Sequence, residues 1–239
     1  MLKSKVLDKG FIEVIDSLGN DLTVVNSARV SFGKRKEKWD KSDERLVRYL
    51  AKHKHFSPFR HLQVQFHIKA PEFVMRQWYK HVVGIETTSN SSTKDHAWNE
   101  ISGRYVEVED YYRPSVYRQQ SEDNKQASEG ELAETNNEKA KWYYEVALNT
   151  TKNMYERLIK DLGVAKEQAR AILPLSQYTE VYWTASFQAI MNFIELRDEK
   201  TAQWEIQEYA KKLKILMLDI YPETTKIWND LYWINEDNT

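Results

Sequence analysis

The chain contains no cysteine. That removes disulfides, thiolate nucleophiles and thiolate metal ligands from any account of its chemistry. Long apolar runs are missing too, none approaching the length needed to cross a bilayer, and the opening residues M-L-K-S-K-V carry no signal-peptide core. A cytoplasmic protein is expected, with no membrane partner. Nor is there an excess of one charge: 35 basic residues against 36 acidic leave a net charge of -1, which gives no global electrostatic case for nucleic acid. Any anion must be bound locally. His53, His55, His61 and His67 match no ordered zinc spacing, so no metal site is expected.

What is present is 239 residues, 41% hydrophobic, enough for one substantial core, and residues 1–239 read as a single domain. Val6 to Asp16 reads as one or two short strands, L-G-N-D at Leu18 to Asp21 as a turn, and Val24 to Phe32 as a further extended segment before a charged loop. Ser42 is placed to cap a helix carrying Leu46, Val47 and Leu50. The clearest strand is H-L-Q-V-Q-F-H-I-K, where Leu62, Val64, Phe66 and Ile68 alternate with polar residues. Gly84 to Asp95 lacks periodicity and reads as a loop, Arg104 to Asp110 alternates like a strand, and Pro114 to Gly130 is polar and expected to be mobile. From Glu131 to Leu162 a long helix is expected, with Leu132, Trp142, Val146, Tyr155, Leu158 and Leu162 in an apolar stripe and Gly163 as terminator. A short helix before Pro174, the β-rich Y-T-E-V-Y-W-T and two further helices complete an α+β or mixed α/β pattern.

The stretch from Ala70 to Tyr105 concentrates the chemistry. It holds Arg76, Gln77, Lys80, His81, Glu100, Ser102 and Arg104 within a short span. Pro71 suits a first helical position, and Glu72 suits the positive end of the helix dipole. Gly103 permits close backbone approach, and with Ser102 and Arg104 it would form an anion cradle, which points to a nucleotide phosphate.

Four segments, F-H-I-K-A-P-E-F-V-M-R-Q-W, N-E-I-S-G-R-Y, A-R-A-I-L-P-L-S-Q-Y-T-E-V-Y-W-T and A-Q-W-E-I-Q-E-Y-A, resemble in order the signature segments of the flavin-dependent thymidylate synthases. The resemblance implies a central antiparallel-rich sheet flanked by long helices. It also implies a methyltransferase that makes dTMP from dUMP, with methylenetetrahydrofolate as one-carbon donor and FAD carrying hydride from NADPH. The family is a homotetramer whose active sites are built from several subunits. The missing cysteine agrees, because the other class of thymidylate synthase adds a thiolate to C6 of the pyrimidine and this chain has no thiol. A cofactor-borne hydride is the remaining route.

Carried over position by position, the resemblance implies nucleotide binding by Gln77, Lys80, Glu100, Ser102, Gly103, Arg104, Arg170 and Arg197. Arg104 and Arg170 would hold the phosphate through charge-assisted bonds. Arg197 would be the catalytic residue, its permanent cation favouring negative charge on the pyrimidine. FAD contacts are implied for Ser57, Lys80, His81, Val82, Glu100, Ser186, Gln188 and Asn192. Three departures fall on the flavin side. The family's Arg-His-Arg is Lys80-His81-Val82 here, its common Asn-Ala-Arg is Ser186-Phe187-Gln188, and Gly84 to Asp95 resembles an insertion. Lys94 or His96 is the expected replacement for lost charge. Two alternatives stay open: a pyrimidine-nucleotide hydroxymethylase or dCMP-directed enzyme, and a non-catalytic nucleotide-binding derivative.

Overall fold

The computed structural model describes residues 2–81, 97–125 and 127–233. Strand β3 (Gln63–Pro71) lies at the centre, and its alternation is the one expected, with Val64, Phe66, Ile68 and Ala70 fully buried between half-buried polar residues. It pairs antiparallel with β2 (Gly10–Leu18) on one side and β7 (Tyr178–Ser186) on the other. Adding β1 (Lys3–Val6) and β4 (Trp98–Glu100) gives a five-stranded sheet ordered β1-β2-β3-β7-β4.

One face of this sheet is covered by helices. Helix α7 (Trp204–Ile220) packs on β1 and β2, α6 (Phe187–Arg197) on β7 and α7, and α8 (Pro222–Tyr232) on α7 and on α2 (Lys41–Lys52). At the heart of the core Trp78, the last residue of α3 (Glu72–Trp78), stacks on Phe193 with ring centroids 4.3 Å apart and meets Trp183 and Tyr209 edge-on. Burying each such ring contributes on the order of 2–3 kcal/mol. The opposite face of the sheet stays polar. There Lys3 pairs with Glu13, His67 with Glu180 and Lys69 with Asp110.

The expected alternation of strands and helices is present, but several segments fold differently. Val24 to Phe32 is not extended: it lies in α1 (Asp21–Arg29) and a 3-10 turn. The Asn20 amide donates to Thr23 Oγ1 at 3.0 Å at the start of α1, and burial of Val24 and Val25 outweighs the β preference of branched side chains. Asp40, not Ser42, caps α2, its carboxylate accepting from the Ser42 amide at 2.7 Å. Arg104 to Asp110 forms no strand, because the chain turns over Ser102, whose carbonyl accepts from the amides of Tyr105 and Val106. The three-residue β4 occupies the edge of β7 instead.

The polar stretch from Pro114 contains a hairpin, β5 (Arg118–Gln120) with β6 (Ser128–Glu131). Arg118 ties it down by an ion pair at 2.7 Å to Glu205, which is 4% exposed. Helix α4 (Glu134–Lys160) ends as expected, with Gly163 at φ 67° and the Val164 amide returning to the Leu158 carbonyl. Its expected buried stripe does not form: Tyr155 is buried, but Trp142, Val146 and Leu162 are 61%, 44% and 72% exposed. The helix lies outside the main core cluster, and among the described residues no neighbour covers that side. The loop Gly84 to Asp95 lies outside the described residues.

Candidate active site

At the end of the sheet where Pro71 pairs with Tyr178, the chain encloses a cavity of about 760 Å³. Four elements supply it. Glu72 comes from the first turn of α3, Glu100 from β4, Ser102, Gly103 and Arg104 from the turn that follows, and Arg170 from the 3-10 turn after α5 (Lys166–Ala169). The hydroxyl of Thr179 on β7 donates to Glu100 Oε1 at 2.7 Å, which fixes that carboxylate. Ser102 Oγ accepts from the Arg104 amide at 3.3 Å and from Arg104 Nε at 3.4 Å, so the turn orients its own arginine. Neither Arg104 nor Arg170 is ion-paired with a carboxylate among the described residues.

Gly103 does not adopt a left-handed backbone, and a side chain there would clash with nothing. A Cβ placed there would meet the Arg170 Cδ at 3.5 Å, an ordinary contact, so the glycine marks how closely the turn and that side chain approach. Two unpaired guanidinium groups, a hydroxyl and adjacent amides around an open cavity suit a phosphate monoester. The cavity is not uniformly basic. Burial raises the pKa of Glu72, and the nearby Glu100 raises it further, while Arg76 and Arg170 partly offset both. Sequence reading gave Glu72 only a helix-end role, and its position beside Pro71 was the one signal that it would reach the cavity.

The other expected residues are elsewhere in the chain. Arg197 does not line the cavity: its Nε donates to Nε2 of His81 at 2.8 Å. Burial first, and the Arg197 cation second, depress the His81 pKa to about 4. Gln77 donates to Gln203 Oε1 at 2.6 Å, and Lys80 is exposed just beyond α3. Ser57 is exposed at the start of a 3-10 turn, Ser57–His61, whose Pro58 and Phe59 are buried. Ser186 is buried and accepts from the Ala189 amide, capping α6, while Gln188 and Asn192 follow one turn apart on that helix. Gln188 accepts from Arg60 Nε at 2.6 Å, a contact that sequence reading did not anticipate. Val82, Lys94 and His96 lie outside the described residues. Within one chain, then, Glu100, Ser102, Gly103, Arg104 and Arg170 converge, whereas Gln77, Lys80, Arg197, Ser57, His81, Ser186, Gln188 and Asn192 do not line that cavity.

Residues 13–223 match the family model described as thymidylate synthase complementing protein. The chain is 39% identical over 225 residues to a flavin-dependent thymidylate synthase of Thermosipho melanesiensis, covering 93% of this chain and 92% of that one. It is also 39% identical to a flavin-dependent thymidylate synthase of Thermus thermophilus, over 91% of this chain and 74% of that one. Among solved structures, a UMP/dUMP methylase, PolB from Streptomyces cacaoi bound with 5-Br dUMP, superposes with a TM-score of 0.80 at 28% identity, covering 95% of this chain and 97% of that chain. The match over nearly the whole length, in fold and in sequence together, identifies this chain as a member of the flavin-dependent thymidylate synthase family.

Proposed function

We propose that residues 1–239 act as one unit that methylates C5 of dUMP to give dTMP, taking the carbon from methylenetetrahydrofolate. The convergence of Ser102, Gly103, Arg104 and Arg170 on one cavity carries this reading, with the phosphate held by the two arginines. Glu100, fixed by Thr179, would accept from a sugar or base donor. Arg197 is the residue that favours negative charge on the pyrimidine as C5 becomes nucleophilic, and Gln77 and Lys80 complete the nucleotide contacts.

The donor set on the other side fits FAD. A dinucleotide presents phosphate oxygens, hydroxyls and a hydrogen-bonding ring edge. Ser57, Lys80, His81, Gln188 and Asn192 offer a hydroxyl, a cation, an imidazole and two amides, with Ser186, Val82 and Glu100 as the remaining matches. FAD supplies hydride drawn from NADPH. The chain's own part is to bind, orient and exclude water.

Arg197 and His81 lie outside the cavity that holds the arginine pair, which favours a homotetramer in which one subunit's cavity is completed by another's residues. Among the described residues no helix is long and apolar enough to cross a membrane, and the reading is of a cytoplasmic enzyme.

The test incubates protein, FAD, NADPH, methylenetetrahydrofolate and dUMP, then weighs the nucleotide. Gain of a methyl group supports the reading. A hydroxymethyl gain selects the hydroxymethylase, and an unchanged nucleotide with NADPH unconsumed rejects catalysis.

A further inference from the structure

We propose that Arg60 is a cofactor-binding residue, supplying on the flavin side the cation that the family commonly carries at the position of Gln188. This rests on the FAD reading above. Gln188 is 7% exposed and its carboxamide oxygen accepts from Arg60 Nε at 2.6 Å, so a buried amide holds the guanidinium at the tip of the Gln188 side chain. Nε is the only guanidinium nitrogen used in this way: among the described residues the two terminal nitrogens of Arg60 have no acceptor and no carboxylate partner.

The geometry divides the labour of one arginine between two residues. Gln188, rooted in the first turn of α6, contributes position. Arg60, itself exposed on the turn that begins with Ser57, contributes charge and a free two-nitrogen edge. That edge presents two parallel N–H donors, the arrangement that recognises phosphate oxygens bidentately. A structural arginine at a protein surface more often ends on a carboxylate or in bulk water. Here the exposed group is anchored by its inner nitrogen to a buried neutral side chain, which leaves the outer edge oriented and open to a ligand from solvent. The chemistry it suits is an anionic phosphate or pyrophosphate of a dinucleotide.

The test measures FAD binding directly, by quenching of flavin fluorescence, beside dUMP binding by equilibrium dialysis. Wild type, Arg60→Gln, Arg60→Lys and the double variant Arg60→Gln/Gln188→Arg are compared. Arg60→Gln is expected to weaken FAD at least about tenfold, as loss of a charge-assisted bond implies, with dUMP affinity unchanged. Arg60→Lys should retain part of the affinity. The double variant should recover most of it, because the cation is returned from the helix side. FAD affinity unchanged in Arg60→Gln overturns the proposal while leaving the flavin reading intact. So does parallel loss of FAD and dUMP binding with a lowered melting temperature in both single variants, or failure of the double variant to recover. A wild-type protein that takes up no FAD overturns the flavin reading and this inference with it.

Discussion

The guanidinium of Arg197 donates its Nε–H to Nε2 of His81 at 2.8 Å, and the imidazole ring packs edge-on against Phe193 at 5.0 Å. The bond requires a lone pair on Nε2, so His81 is neutral with its proton on Nδ1. It joins the end of α6 to the end of α3 and holds the residue proposed for catalysis in a fixed direction.

A pH dependence follows from that contact. The His81 pKa falls from 6.5 to about 4 on folding, so the unfolded chain binds the proton first as pH drops. The stability associated with a neutral His81 is fully present above the unfolded value of 6.5 and is lost as pH falls toward about 4. Melting temperatures followed across that range should fall more steeply for wild type than for His81→Gln, which cannot titrate. Parallel curves would reject the depressed pKa.

The two halves of the proposed site should fail differently on mutation. Arg104→Ala and Arg170→Ala each remove a charge-assisted phosphate contact of about 1.5–3 kcal/mol, so dUMP affinity should drop roughly tenfold to a hundredfold, read by equilibrium dialysis. Arg197→Ala should instead lower turnover by roughly 10²–10³-fold, as loss of an oxyanion donor does. Normal turnover in that variant would remove the catalytic assignment.

Two glycines should answer oppositely to alanine. At Gly10 an added Cβ would lie 2.0 Å from the Tyr209 hydroxyl and 2.7 Å from the Val6 carbonyl, and Tyr209 is itself held by its bond to the Lys69 carbonyl. Gly10→Ala should destabilise by at least about 1–3 kcal/mol in urea unfolding, the cost of overpacking. Gly103→Ala makes only ordinary contact with Arg170, so stability should change by less than about 0.5 kcal/mol. Its effect should appear in dUMP affinity.

Asp43 is fully buried and is met by Arg29 at 2.9 Å and Lys36 at 2.6 Å. Asp43→Ala would leave Arg29 without its carboxylate while Lys36 keeps only Asp40, a loss of about 3 kcal/mol in chemical denaturation. A change below about 1 kcal/mol would show that solvent screens the cluster.

The exposed side of α4 bears on assembly. Trp142, Tyr143 and Val146 are 61%, 66% and 44% exposed on adjacent turns of one helix, a patch of the kind that subunit contacts cover. Light scattering should find wild type as a tetramer and Trp142→Glu as a smaller species. An unchanged mass would place the contact elsewhere.

Much of the fold was legible in the chain. The two-residue period of β3 was visible because one face of that strand meets the core and the other does not, and Gly163 marked the end of α4 through its positive φ. Val24 to Phe32 misled because branched side chains favour strands in isolation, while the Asn20 and Thr23 cap and the burial of two valines decide for helix. Arg104 to Asp110 misled because alternation alone does not make a strand, and the chain turns over Ser102 before it could pair.

By itself the sequence determined the family, the grouping of Ser102, Gly103 and Arg104 and the absence of thiol chemistry, since these reside in residue types held at short spacings and in a count of zero. Only the tertiary structure decided which distant side chains meet. Arg170 reaches Gly103 because the 3-10 turn after α5 folds against the turn following β4, Arg197 is drawn to His81, and Arg60 is drawn to Gln188. Such pairings depend on how helices are seated across a sheet, and no local period or propensity encodes a contact between residues so far apart in the chain.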